Sequence, residues 1–428
     1  MRPSSRGLRS TPATGKQGND TVSTATPSEQ LELLVKGAEE VLSPEELLTK
    51  LERAVKEKRP LRVKQGFDPS SPGIHIGHAV GLRKLRQFQD LGHTVVLIVG
   101  NYTGMVGDPS LRSQTRPMLT EDEVMENART YQEQIFKIVD PDRTEVHFNG
   151  EWFSAMSFKD VMELAAKFTV ARMLERDDFH MRYAGGNPIS IHEFFYPLMQ
   201  AYDSVAIEAD VEIGGTDQKF NLLVGRKIQR DYGQESQIVM TFPLLVGLDG
   251  ENKMSKSLGN TVDITDPPND MYGKIMSIPD ASLPVYLRLA TTLEAAEADR
   301  HLEKLEDPSF NPMELKKFLA REVVVLYHGP QAAAAAEEEF SRVFSRREEP
   351  EEMPEYRMPA PGKIWIAKLL VDAGLTRSSS EARRLLMQGA VYIDGERVTD
   401  EDLQLEVKGP LILKVGKKRF LKLLPPDA

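Results

Sequence analysis

The chain has 428 residues, no cysteine and a formal net charge of -11, with 40% hydrophobic and 28% charged residues. This excludes disulfides, a cysteine nucleophile and thiolate zinc sites, and no apolar run approaches the roughly 18 residues of a membrane span. The length asks for two or three domains, the missing cysteine suits a reducing cytoplasm, and any basic face for a polyanion has to be local.

Residues 1–30 are rich in Ser, Thr, Pro and Gly, with Arg2, Arg6, Arg9 and Lys16. Too few are apolar to fold, so they read as a disordered tail, although an Arg/Ser bias with few acids also resembles an organelle transit peptide. The Leu- and Glu-rich stretch from about 31 to 58 reads as helices. "LRVKQGFDPSSPG" reads as a strand leaving into a turn, followed by a helix from about His75 to Leu91 and a buried strand, "HTVVLIVG". Strand, turn, helix, strand is half of a nucleotide-binding α/β sheet. Thr120 with Glu123 makes a capping-box start for a mostly helical stretch of about 120–185, interrupted by a strand near "TEVHFNG". A helix over about Glu193–Asp203, a strand at "VEIGG", a helix over about Asp217–Arg230 and a strand-like "QIVMTFPLLVGLDG" complete a unit spanning 31–275. Residues 276–347 read as helical, 348–362 as a charged, proline-rich linker, and 363–428 as a separate module.

His75 and His78 share one face at the start of the first helix of the sheet unit. Helix N-termini attract phosphate, and two imidazoles there can donate hydrogen bonds to it. Gly77, lacking a side chain, would let a flat base stack on the backbone. No GxGxxG and no Walker lysine motif accompanies them, so this is neither a dinucleotide fold nor a P-loop. Downstream, "GENKMSKSLGN" carries Lys253 and Lys256 in a glycine-bounded loop. Such a loop can close over a triphosphate and neutralise leaving pyrophosphate. Tyr196, Gln200 and Asp203 form one polar stripe on a helix whose other faces carry Phe194, Phe195, Leu198 and Met199. That composition suits a pocket wall better than a water-facing surface. Gly214, Gly215, Asp217 and Gln218 follow a strand end, where ligands of open α/β sheets sit.

"HIGH" followed by "KMSKS" resembles the signature of class I aminoacyl-tRNA synthetases. "YPLMQAYD" and "GGTDQ", with "GFDPSSPGIHIGH" and "VGDPS", resemble the bacterial tyrosyl-tRNA synthetases from about residue 31 to the end. The resemblance implies ATP as substrate with Mg²⁺ as its partner, L-tyrosine and tRNA(Tyr) as the other substrates, a homodimer joined through about 120–190, and a cytoplasmic enzyme with no membrane partner. It gives His75, His78, Lys253 and Lys256 to catalysis. Gly77, Gly215, Asp217, Gln218 and Lys256 would bind ATP, with Asp217 and Gly215 at the ribose. Asp203 would accept from the substrate phenol, Tyr196, Gln200 and Asp108 would hold its α-ammonium, and Gln218 would lie near the carboxylate. No metal ligands are assigned. One position departs: better-known members carry a phenol-directed tyrosine where this chain has Lys64.

From Lys363 to Ala428 there are twelve Lys/Arg against nine Asp/Glu, so this module is basic while the rest is acidic. "TRSSSEARRLLMQGAVYIDGERV" reads as a helix with Ser380 as N-cap, ended by Gly389, then a hairpin turning at "DG". It resembles the S4 RNA-binding module, which implies tRNA contacts from Arg377, Arg383, Arg384, Lys417, Lys418 and Arg419. The expected architecture is α/β: a Rossmann-like parallel-sheet catalytic domain with a helical insertion, an α-helical domain, and a small α+β S4 domain. The rivals are a tryptophan-activating relative, an RNA-binding protein that kept the fold without catalysis, and an unrelated nucleotidyltransferase. The last leaves the C-terminal module unexplained.

Overall fold

A computed structural model describes residues 25–69, 73–108, 121–307, 309–345, 353–416 and 419–426. The chain divides into two units. One holds the chain up to Pro267 with Lys274–Leu319, and the other Pro268–Gly273 with Ala320–Ala428.

The first unit is built on a six-stranded sheet: β1 (Glu40–Leu42), β2 (Arg62–Phe67), β3 (Thr94–Val99), β4 (Thr144–Phe148), β5 (Val211–Gly215) and β6 (Ile238–Phe242). The spatial order is β1-β6-β5-β2-β3-β4. Strands β2 to β6 are parallel and β1 closes the edge antiparallel to β6. Buried on both faces, β3 and β6 consist almost wholly of apolar residues. The chain leaves β2 toward β3 and β4, then returns to lay β5 on the other side of β2. That reversal opens a crevice at the carboxyl ends of β2 and β5.

Two boundaries differ from the sequence reading at the amino end. Helix α1 (Pro27–Val35) starts inside the stretch assigned to the tail, because Thr26 and Glu29 form a capping box there. Residues 1–24 lie outside the described residues. The helices expected over about 31–58 are α1 and α2 (Pro44–Glu57), the second capped by Ser43, with the unexpected short strand β1 between them. Three residues are too few to show a period, so β1 left no trace in the sequence. Thr120, expected to open the next helix, also lies outside the described residues. Residues 276–319, expected to begin a separate helical domain, group with the sheet. Tyr286 is one tie, donating from its buried phenol to the Val246 carbonyl at 2.8 Å.

In the second unit, a five-stranded sheet packs with the helices Ile366–Asp372 and Ser379–Met387 around Leu369, Leu370, Leu386, Leu413 and Leu423. The strand Glu355–Arg357 pairs parallel with Arg419–Leu424, and Met358 is buried in the same core. These residues belong to the sheet and not to a linker: the Glu355–Lys422 ion pair at 2.8 Å uses one of the charges that made the stretch look like one. Ser378, not Ser380, caps the helix Ser379–Met387, accepting from the Glu381 N–H at 3.2 Å. Gly389 follows the helix at φ +63°, and Asp394 and Gly395, both at positive φ, turn the hairpin as the sequence indicated.

Candidate active site

Helix α3 (Ile76–Asp90) begins where β2 releases the chain into the crevice. His75 is its N-cap residue, yet its side chain makes no capping hydrogen bond. Its ring stacks on His78, with centroids 3.7 Å apart and planes 19° from parallel. Gly77 permits this: a Cβ there would stand 3.0 Å from His75 Nδ1. Both rings have a buried Nδ1 without a hydrogen-bond partner among the described residues. Burial, the other imidazole and the nearby lysines push the His75 pKa down to about 2. Burial and Lys256 bring His78 down to about 4. Both are neutral at pH 7.

The lysine loop is scaffolded at its base. Asp249 accepts from the backbone N–H groups of Glu251 and Asn252, each at 3.0 Å, and from Asn260 Nδ2 at 2.9 Å. Asn260 Oδ1 receives the Ser255 N–H at 2.8 Å. Lys253 Nζ reaches Asp217 at 3.2 Å, and Lys256 pairs with Asp263. Asp263 in turn bridges to His75 through the backbone, flanked by Ile76 N to Val262 O at 2.9 Å and Ile264 N to Ile74 O at 3.0 Å. Gly73, at φ +106°, gives Lys256 its room: a Cβ there would meet the ammonium at 2.7 Å. Lys256, His75 and His78 therefore meet at the mouth of α3, and both lysines rest on carboxylates that an incoming polyphosphate can replace.

The helix Phe195–Ala206 brings the polar stripe to the same end of the sheet. Asp203 is buried and accepts from Trp152 Nε1 at 3.0 Å and Asn149 Nδ2 at 3.4 Å. Burial lifts its pKa to about 7 against the opposing pull of Lys64. Tyr196 donates to Asp68 at 2.8 Å; burial first, and then the carboxylates around it, raise its pKa well above the usual phenol value. Gln218 donates to Asp108 at 2.7 Å, and Asn221 donates to both Gln200 Oε1 and Gln218 Oε1, at 3.0 and 3.1 Å. Gly215 must be glycine, since a Cβ would fall 2.6 Å from Asp217 and 2.7 Å from Leu244.

Lys64 stands where the resemblance implies a phenol-directed tyrosine. It is fully buried, and its ammonium pairs with Glu212 at 2.9 Å. The sequence reading also missed Asp68, Asn149, Trp152, Glu212, Asn221 and Thr103, whose hydroxyl donates to Asp68 at 2.7 Å and accepts from Asn149 Nδ2 at 3.1 Å. Asp68 and Asn149 directly follow β2 and β4, and attention to strand ends would have found them.

In the second unit the six basic residues divide. Arg383 lies over the Trp365 ring, 5.2 Å from its centroid, with Glu401 and Asp402 at 3.6 and 3.8 Å. Arg419 donates to the Leu375 carbonyl and approaches Glu381 at 4.0 Å. Arg377 and Arg384 are exposed, and neither guanidinium has an ion pair among the described residues. Lys417 and Lys418 lie outside the described residues.

Both parts of the chain are similar to known proteins. The family described as tRNA synthetases class I (W and Y) matches residues 56–345, and the tyrosine--tRNA ligase SYY-like C-terminal domain matches 347–423. The tyrosine--tRNA ligase of Thermotoga maritima is 54% identical over 398 residues, 93% of this chain and 98% of that protein. That of Moorella thermoacetica is 53% identical over 394 residues, 92% and 95% of the two chains. A C-terminally truncated mitochondrial tyrosyl-tRNA synthetase from Aspergillus nidulans shares the fold with a TM-score of 0.58 at 24% identity, covering 74% of this chain and 94% of that one. With both of its parts matched and half of its residues identical to those relatives, the chain belongs to the bacterial tyrosyl-tRNA synthetase family of class I.

Proposed function

We propose that the chain activates L-tyrosine with ATP at the crevice of its first unit and transfers the tyrosyl group to the 3′ end of tRNA(Tyr). The tyrosine carboxylate, already ionised at pH 7, attacks the α-phosphorus in line, and the bond to the bridging oxygen breaks to release pyrophosphate. No general base is needed. His75 and His78, neutral by burial, each give one N–H to the α-phosphate oxygens as charge builds. Lys253 and Lys256 exchange their carboxylates for the β- and γ-phosphates. Asp217 and Gly215 take the ribose, with Gly77 beneath the base. Mg²⁺ would arrive on the phosphate oxygens of ATP; among the described residues no cluster of three His, Asp or Glu is placed to hold a metal.

Asp203 accepts from the tyrosine phenol, and phenylalanine would leave that buried carboxylate short of a partner. Rejection by about 10⁴–10⁵ is the range for sites that hydrogen-bond a substrate hydroxyl, a range for which tyrosine-specific synthetases are themselves the standard example. Tyr196, Gln200 and Asp108 take the α-ammonium, and Gln218 lies by the carboxylate. Arg377 and Arg384, with Lys417 and Lys418, are the cations for the tRNA backbone.

We also infer a homodimer through the helical insertion. Phe158, Met162, Met181, Tyr183 and Ile191 there are more than half exposed, an apolar surface that suits a partner copy. Among the described residues no helix is long and apolar enough to cross a membrane, and a cytoplasmic location suits a chain without cysteine.

The observation that supports the catalytic reading most is the meeting of the stacked histidines with Lys256 over Gly73. ATP–pyrophosphate exchange tests it with tyrosine, phenylalanine and tryptophan supplied separately. Exchange with tyrosine alone is expected, and Lys256→Ala should lower its rate by about 10²–10³ with the Kd for tyrosine little changed. Exchange with tryptophan would move the substrate assignment. No exchange with any of the three would sink the roles given to the histidines and lysines.

A further inference from the structure

Behind the stripe Tyr196–Gln200–Asp203 lies a buried network that the reaction as described does not use. Lys64 has three N–H donors and three partners: the Gln200 carbonyl at 2.8 Å, Ser204 Oγ at 2.8 Å and Glu212 Oε1 at 2.9 Å. Glu212 Oε1 also receives Gln200 Nε2 at 3.2 Å, and its other oxygen receives Ser204 Oγ at 3.1 Å and Gln237 Nε2. Across the site, Arg176 holds Asp178 with two hydrogen bonds, at 2.6 and 2.8 Å, and gives a third to Asn221 Oδ1 at 3.1 Å. Lys64, Glu212, Arg176, Asp178 and Asn221 are all buried.

Charge at the two ends gives the amides between them one direction. A guanidinium has no acceptor and a carboxylate no donor. Arg176 therefore takes the oxygen of Asn221 and turns its NH₂ toward the oxygens of Gln200 and Gln218. Glu212 takes the NH₂ of Gln200, and Asp108 that of Gln218. Reversing any one amide would set donor against donor, or oxygen against oxygen, in a buried site. Tyr196 follows the same rule, since its proton is spent on Asp68. One Gln200 N–H and the Tyr196 proton are thus spent within the protein, while Gln200 Oε1 and the Tyr196 hydroxyl oxygen keep lone-pair capacity.

We propose that the Lys64–Glu212 and Arg176–Asp178 ion pairs are positioning residues of the α-ammonium subsite, fixing the Asn221, Gln200 and Gln218 carboxamides so that acceptors meet the amino group of the substrate. The proposal rests on the ammonium role given above to Gln200 and Tyr196. It also gives the departure at Lys64 a use: in this chain the residue is tied by hydrogen bonds to the amino end of the substrate site, while only its charge is felt by Asp203.

The test compares two ligands that differ only in the amino group, L-tyrosine and 3-(4-hydroxyphenyl)propanoate, by their Kd on the full-length protein. The parent should favour L-tyrosine by well over about tenfold, as a charge-assisted contact implies. Lys64→Met combined with Glu212→Gln removes both charges together, leaving no unpaired buried ion, and should reduce that preference by about tenfold or more. Asn221→Asp keeps an acceptor for Arg176 but turns the neighbouring amides around, and should reduce the preference at least as far. It stands as the independent reading if the double variant does not fold. A merely structural role would weaken both ligands together, so a folded variant with an unchanged preference overturns the proposal. A parent protein without the preference overturns instead the ammonium assignment on which it rests.

Discussion

At the scale of single residues, the selectivity proposed for Asp203 should be visible in binding through its protonation. Its folded-state pKa stands near 7, above the ordinary carboxyl value, chiefly because it is buried. Between the two values the folded chain holds the proton that the unfolded chain has lost. Folding stability from this group therefore falls as pH rises from about 4 to 7. Binding runs the other way, because the phenol needs an ionised acceptor. The Kd for L-tyrosine should be about tenfold weaker at pH 6 than at pH 8, while that for phenylalanine changes little; Asp203→Asn should abolish both the slope and the preference. A flat profile in the parent would remove Asp203 from phenol recognition. The sequence made Asp203 legible through its place on a polar stripe. It concealed Trp152 and Asn149, which complete the carboxylate's shell from a segment some fifty residues away in the chain. Lys64 was legible only as a departure, since the partners that explain it, Ser204 and Glu212, lie on a helix and a strand that approach only in the fold.

At the scale of elements, the lysines proposed for catalysis depend on how their loop is anchored. Asn260 sits against Gly247, where a Cβ would lie 2.1 Å from Nδ2 and 2.2 Å from Cγ. Gly247→Ala must expel the Asn260 side chain, and with it the hydrogen bonds to Asp249, Lys253 O and Ser255 N. The expected result is a loss of about 10-fold or more in the rate of pyrophosphate exchange, with the tyrosine Kd within about twofold, since the side-chain hydrogen bonds of Asn260 among the described residues go to Asp249, Lys253 O and Ser255 N, not to the tyrosine site. Equal losses in both would mean that the loop's anchor also shapes the tyrosine site. Elements with a strong period were readable from the chain: β2, α3 and β3 lie where the pattern put them. The misplaced elements lacked one. β1 has three residues, the serine run at 378–380 offers three equivalent caps, and Glu355–Arg357 gains its partner only when the last strand arrives.

At the scale of the whole molecule, charge is segregated, and two functions follow different chemistry. The proposed homodimer predicts that Phe158→Glu with Ile191→Glu yields monomers in size-exclusion chromatography with light scattering; an unchanged mass would overturn the interface proposed there. The C-terminal module, basic within an acidic chain, is where salt should act. Its arginines are not equivalent. Arg383 and Arg419 are engaged with Trp365, acidic neighbours and a carbonyl, so replacing them removes local packing and pairing. Arg377 and Arg384 carry no such ties among the described residues and can neutralise phosphate directly. Replacing both by alanine should weaken tRNA binding roughly equally for any tRNA sequence. It should also flatten the slope of log K against log salt by about 2, roughly one for each phosphate that is no longer neutralised. Pyrophosphate exchange should stay at the parent rate, because that step needs no RNA. Arg383→Ala should instead lower the melting temperature of the module and leave the salt slope nearly unchanged. If Arg383→Ala flattened the slope and the Arg377, Arg384 pair did not, the phosphate would be taken by the arginine on Trp365 and the exposed pair would be ordinary surface charge.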